Sequence, residues 1–134
     1  MLLGINHITI AVSDLERSIL FYRDILGFTA HVKWDNGAYL SVGELWFCLS
    51  CDDPCSKDDY SHIAFDIAPD QFEDFKARVL SKGVSQWKNN KSEGLSLYIL
   101  DPDGHKLEIH VGDLQSRLSS LKAHPYKGLV WLGI

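Results

Sequence analysis

The run 5–12 alternates. Ile8, Ile10 and Val12 fall on one face and His7, Thr9 and Ala11 on the other, the period of a half-buried strand. Ser13 follows, with Glu16 three residues on. That is the spacing of a capping box, in which two side chains satisfy the first free backbone N–H groups of a helix. Leu15, Ile19, Tyr22 and Leu26 recur at helical spacing, and Gly27 supplies a left-handed stop. Strand-like runs come next at 29–34, 38–42 and 45–50, and the polar stretch 51–60 predicts a loop.

Then the pattern restarts. Ser61-His62-Ile63-Ala64-Phe65-Asp66-Ile67 mirrors Asn6-His7-Ile8-Thr9-Ile10-Ala11-Val12. Pro69 lies near the start of a second helix carrying Phe72, Phe75 and Val79, and Gly83 ends it. Further strands are expected at 84–88, 95–100 and 105–110, with Asp101-Pro102-Asp103-Gly104 as a tight turn before the last. The architecture is therefore α+β: two βαβββ repeats, at about 4–51 and 60–112, in a single domain spanning 1–134. In each repeat one helix covers one sheet face. The opposite, partly polar faces are left to line a cleft between the sheets. The segment 113–134 stands apart as a short helix followed by an apolar tail. Leu129, Val130, Trp131 and Leu132 are costly to expose, so the tail is expected to pack on the body or on a neighbour.

Composition narrows the class. A chain of 134 residues, 46% hydrophobic and 23% charged, can bury a core without a disulfide scaffold. Its longest apolar run, 45–49, is far short of the roughly 20 residues a membrane span requires. The start of the chain has no basic stretch followed by a long apolar core, so a cytoplasmic protein is expected, with no membrane partner. A net charge of −5 argues against nucleic acid as the main partner. The three cysteines, Cys48, Cys51 and Cys55, read as reduced thiols rather than a zinc knot, which needs four closed ligands.

His7 and His62 occupy the same position in the two repeats, on the face away from the helix. Glu108 lies on the last strand, where Leu107 and Ile109 take the helix side and Glu108 the other. Two imidazoles and a carboxylate leave coordination positions open, as catalytic metal sites do. A lone strand histidine is more often a satisfied polar group; it is the repeat symmetry and Glu108 that favour a metal. His110 shares the face of Glu108 and is a rival or outer ligand. His105 reads as bonding its own turn, and His31 and His124 as surface. The segment 88–98 packs Lys, Asn, Ser and Gly into a loop entering a strand. Such a loop can hold a hard cation and meet an oxyanion, and its plainer reading is a solvated loop. Arg117, early in the last helix, suits an oxyanion or solvent equally.

Several segments together carry a resemblance. They are Asn6-His7-Ile8-Thr9, 34–40, 45–50, Tyr60-Ser61-His62, 88–100, Asp101-Pro102-Asp103-Gly104-His105-Lys106-Leu107-Glu108, and 112–118. This set resembles the fosfomycin resistance glutathione transferases of the vicinal oxygen chelate (glyoxalase/bleomycin-resistance) superfamily. The resemblance implies a Mn2+ site from His7, His62 and Glu108. It implies a homodimer that exchanges repeats, with His7 from one subunit and His62 and Glu108 from the other. It implies a K+ site from Asn90, Ser92, Glu93, Gly94 and Ser96. Thr9, Trp46, Lys88, Ser92, Tyr98 and Arg117 match residues around the substrate, with Thr9, Tyr39, Lys88 and Arg117 in catalytic roles. Trp34, Asn36, Tyr39 and Lys91 match the region for glutathione, the co-substrate. Asn36 and Lys91 stand where familiar members have Gln and Arg.

The implied reaction is addition of glutathione to the epoxide of fosfomycin. A divalent ion acts as Lewis acid on the oxygen, and Lys88 and Arg117 offset the phosphonate charge. No protein nucleophile is needed, so Cys48 is not required for the chemistry. Glu44 offers an alternative. Strand alternation places it on the face of Trp46, about 7 Å along, where a buried carboxylate could activate water for epoxide hydration. A non-enzymatic drug-binding protein of the same fold is a further alternative. A glyoxalase-like isomerase is less suited: it uses four protein ligands, and Trp46 cannot be one.

Overall fold

Backbone pairing in the computed structural model, which describes residues 1–90 and 94–133, follows the two repeats. β1 (His7–Val12), β2 (Thr29–Trp34), β3 (Gly37–Val42) and β4 (Leu45–Cys51) form one sheet in the order β1-β4-β3-β2. β5 (Ile63–Asp66), β6 (Gln86–Lys88), β7 (Ser96–Leu100) and β8 (Lys106–His110) form the second in the order β5-β8-β7-β6. In each sheet the first strand runs parallel to the last and the other pairs are antiparallel. A helix bridges the parallel crossover in both: α1 (Leu15–Ile19), continued as a wider π-helical stretch over Leu20–Ile25, and α2 (Phe72–Ser81), entered through a 3₁₀ turn at Pro69–Gln71.

Identical strand order lets the registers be compared position by position. Cys48 sits opposite Thr9 and Tyr39, as Glu108 sits opposite Ala64 and Tyr98. Gly37 pairs with Ser50 where Ser96 pairs with His110. The first-repeat counterpart of Glu108 is thus Cys48, not Trp46, which corrects the position considered for a fourth ligand.

The helix faces of both sheets share one core. Ile10, Val12, Leu40, Phe47 and Leu49 from the first repeat join Phe65, Leu97, Ile99, Leu107 and Ile109 from the second. Tyr22, Phe28, Phe47 and Phe65 meet ring to ring across the boundary, with centroids 5.0–6.1 Å apart. Aromatic contacts of this kind add to area burial at the join between repeats.

Polar contacts lock the same join. The turn at 101–104 reaches the start of α1: Ser13 Oγ donates to Asp103 Oδ1 at 2.5 Å, and the Ser13 backbone N–H reaches Oδ2 at 3.2 Å. This overturns the expected capping box. Asp14 caps α1 by accepting from the Arg17 N–H, while Glu16 turns outward to Lys33. His105 bonds its own turn as expected, its backbone N–H donating to Asp101 Oδ1 at 2.9 Å, and its ring also donates from Nε2 to the Ala11 carbonyl at 2.7 Å. Gly27, at φ +89°, ends the first helical stretch in the backbone region glycine favours.

Two further expectations change. Glu44 is not on a strand: it occupies the two-residue turn between β3 and β4 beside Gly43, whose φ is +54°, and its side chain is exposed. A Gly at positive φ selects such a turn, so Glu44 is not the buried carboxylate that hydration requires. The tail after α3 (Leu114–Ala123) leaves Val130, Trp131 and Leu132 exposed and Leu129 half-buried, so within one chain it is only partly covered. No described helix is long and apolar enough to cross a membrane.

Candidate active site

The face of the second sheet that points away from its helix collects polar side chains at fixed register. Glu108 is 8% exposed, and its Oε1 lies 2.9 Å from His62 Nε2. His62 Nδ1 lies 2.7 Å from the Tyr60 carbonyl, an acceptor only, so the ring proton is on Nδ1. In the neutral ring Nε2 therefore aims a lone pair at a carboxylate. Two acceptors at that separation require a cation or a proton between them. This donor set fits a divalent metal: an imidazole whose other nitrogen is tied to a carbonyl, beside one carboxylate oxygen.

Beside the pair, Lys88 on β6 donates to Tyr60 Oη. Its ammonium lies 4.6 Å from the Tyr60 ring centre and 4.8 Å from that of Tyr98. The hydrogen bond to Tyr60 holds the lysine pKa above its ordinary value. Nearby Tyr98, Tyr60 and Glu108 act in the same direction, and desolvation opposes them. Trp87 closes the wall: its indole N–H donates to the Leu107 carbonyl at 2.9 Å, and its ring meets Tyr60, His62 and Tyr98 at 5.1–5.6 Å. The result is a cation held by aromatic faces, next to an imidazole–carboxylate pair. It can receive an oxyanion.

The first sheet gathers a different set. His7, Thr9, Trp34, Asn36, Tyr39, Trp46 and Cys48 line a cavity of about 340 Å³. His7 repeats the His62 arrangement: Nδ1 donates to Asn6 Oδ1 at 2.8 Å, leaving Nε2 as the acceptor. Trp46 stacks on the His7 ring at 4.4 Å, and Tyr39 meets Trp46 at 5.1 Å and Trp34 at 4.8 Å. Three of the four residues expected for the thiol, Trp34, Asn36 and Tyr39, thus share a cavity with Thr9 and Trp46.

Within one chain His7 is not brought to His62 and Glu108. Among the described residues, no three His, Cys, Asp or Glu side chains are grouped so as to hold a metal ion. In the expected potassium loop, Asn90 donates from its amide to the Gly94 carbonyl at 2.9 Å, and the Ser96 hydroxyl is turned to Glu108. Lys91, Ser92 and Glu93 lie outside the described residues. Arg117 sits half-buried in the first half of α3, after its capping pair Asp113 and Ser116. Tyr60 and Trp87 were not singled out from the sequence. An exposed Tyr in a loop and a Trp in a three-residue strand carry no periodic signal.

Two βαβββ repeats whose outer faces each carry histidine define the paired-repeat class of α+β proteins. Residues 4–109 match the Glyoxalase/Bleomycin resistance protein/Dioxygenase superfamily, and the chain belongs to that superfamily. Within it, the chain is 50% identical over 136 residues to a glutathione transferase, FosA, of Serratia marcescens, covering 98% of this chain and 96% of that one. It is 39% identical over 129 residues to the metallothiol transferase FosB of Staphylococcus epidermidis, covering 91% and 93%. Among solved structures, the fosfomycin resistance protein FosX of Listeria monocytogenes, complexed with Mn(II) and sulfate, superposes with a TM-score of 0.82 at 29% identity. The match covers 90% of this chain and 98% of that one.

Proposed function

We propose that the protein is a fosfomycin resistance enzyme that opens the epoxide of the drug by adding the thiol of glutathione. The observation that carries the reading is the His62–Glu108 pair beside the aromatic-clamped Lys88. It puts metal donors and an oxyanion receptor on one sheet face. Half-identity to a glutathione transferase over nearly the whole chain supports the thiol, and a manganese-bound relative supports the ion.

The metal ligands are His62 and Glu108 of one subunit and His7 of its partner in a repeat-exchanged homodimer, which joins the first-sheet cavity to the second-sheet face. A Mn2+ ion there supplies Lewis acidity to the epoxide oxygen. The chain's own residues do the rest. Lys88, with Tyr98 and Arg117, receives the phosphonate; Thr9 and Trp46 border it from the other sheet. Tyr39, Trp34, Asn36 and Lys91 hold the thiol so that sulfur meets carbon opposite the breaking C–O bond. An S–C bond forms, the C–O bond breaks, and the oxygen takes up a proton. Orienting both reactants is worth up to about 7–11 kcal/mol. A K+ ion held by Asn90, Ser92, Glu93, Gly94 and Ser96 would add positive field for the anionic drug. Three free cysteines suit the reducing cytoplasm.

The test is a thiol panel. Protein with Mn2+ and K+ is mixed with fosfomycin and glutathione, cysteine, bacillithiol or no thiol, and products are weighed by mass spectrometry. A glutathione adduct formed fastest is the expected result. A diol without thiol would point to hydration, and an intact drug in every arm to sequestration; either ends the proposal.

A further inference from the structure

The carboxylate of Glu108 is held in one rotation by its own sheet. Ser96 Oγ donates to Glu108 Oε2 at 2.7 Å. A serine hydroxyl has one proton, so its 2.6 Å contact with His110 Nδ1 is one it accepts. His110 therefore carries a proton on Nδ1, and that nitrogen also lies 3.3 Å from Oε2. Ser96 donates to Oε2 directly, and His110 acts on that oxygen through Ser96. Oε1 is left to face His62.

Gly94 and Gly112 flank the imidazole of His110: a Cβ added at either would sit in ordinary van der Waals contact with it, 3.5 Å from Cε1 and 3.4 Å from Nε2. The chain of donors is also specific to this repeat. At the matching positions of the first sheet stand Gly37, Ser50 and Cys48 in place of Ser96, His110 and Glu108. Glycine offers no hydroxyl, and there is no carboxylate to orient.

We propose that His110 is a positioning residue: through Ser96 it holds Glu108 so that one oxygen, Oε1, is presented to the divalent cation. This rests on the reading of Glu108 as a metal ligand. Partners of a ligating carboxylate typically change metal affinity by about 10–100-fold when removed.

The experiment is a titration of the full-length protein with Mn2+, reading free ion by electron paramagnetic resonance at fixed K+. The unfolding midpoint of the metal-free form is measured alongside. His110→Phe is expected to weaken Mn2+ binding by about 10–100-fold. His110→Asn, which keeps an N–H near the Nδ1 position, is expected to bind within a few-fold of the parent. Ser96→Ala is expected to repeat the loss and serves if His110→Phe does not fold. Glu108→Gln sets the scale. If Glu108→Gln weakens binding but His110→Phe and Ser96→Ala do not, the positioning role is wrong. It is equally wrong if His110→Asn loses as much as His110→Phe. If Glu108→Gln itself binds Mn2+ like the parent, the ligand reading beneath it fails instead.

Discussion

Tyr22 donates a 2.8 Å hydrogen bond from Oη to Oδ2 of Asp101, 79 residues further along the chain. Both side chains are buried, and the bond crosses from the first helical stretch to the turn before β8. Burial, with the charge of Asp101 behind it, pushes the phenol pKa far above its ordinary value, so Tyr22 stays a donor throughout the accessible pH range. Asp101 Oδ1 meanwhile accepts from the backbone of Asp103 and His105 at 2.9 Å each, which shapes the turn. Tyr22→Phe leaves Oδ2 buried without its donor. The expected cost is about 1–3 kcal/mol, read as a lower urea midpoint at unchanged slope. An unchanged midpoint would count against this role.

The division of histidines between two sheets makes a mixing test decisive. His7→Ala and His62→Ala are each expected to be inactive. If the partner supplies His7, refolding the two together produces mixed dimers with one intact site. About a quarter of the parent activity should then return under random pairing. Recovery absent at every mixing ratio would exclude exchanged repeats.

Lys88 sets a pH dependence. Its pKa is raised by the hydrogen bond to Tyr60, so the ammonium persists through neutral and mildly alkaline solution. The contact's contribution is whole below the ordinary lysine range and is lost as pH climbs through the raised value. KM for fosfomycin is expected to stay flat until that range, then rise. In Tyr60→Phe the rise should begin at lower pH. Identical profiles for the two proteins would show that Tyr60 does not act on the lysine.

Gly37 is required by contact rather than by backbone angle. A Cβ there would lie 2.7 Å from Trp34 Cζ2 and 2.8 Å from the Leu49 carbonyl oxygen. Gly37→Ala forces the indole away and strains the β3–β4 pairing, at about 1–3 kcal/mol. Tryptophan fluorescence should shift, and KM for glutathione should rise more than KM for fosfomycin. Equal changes in both constants would separate Trp34 from the thiol subsite.

Much of this was readable from the chain because the fold is written twice. Alternation in 5–12 and 61–67 announces both first strands, and Gly27 and Gly83 both stop helices at positive φ. Glu108 could be assigned a face because Leu107 and Ile109 flank it with buried neighbours. What periodicity cannot carry is which polar group finds which. Ser13 has the spacing of a cap yet bonds Asp103, because a carboxylate 90 residues away arrives within 2.5 Å. Glu44 reads as strand because Leu45 and Trp46 follow it, but Gly43 turns the chain there. Tyr60 reaches Lys88 from a loop, and Ser96 turns toward the acid instead of out of its loop. Each of these is a tertiary choice made after the strands are set.

Each sheet is completed by strands from its own half of the chain. A protease cut within the polar connection between β4 and β5 would therefore sever no ladder. The aromatic seam and the Tyr22–Asp101 and Ser13–Asp103 bonds would remain to hold the halves together. Expressed as separate peptides, the two halves are expected to co-purify as one folded body, and independent elution of each would contradict this.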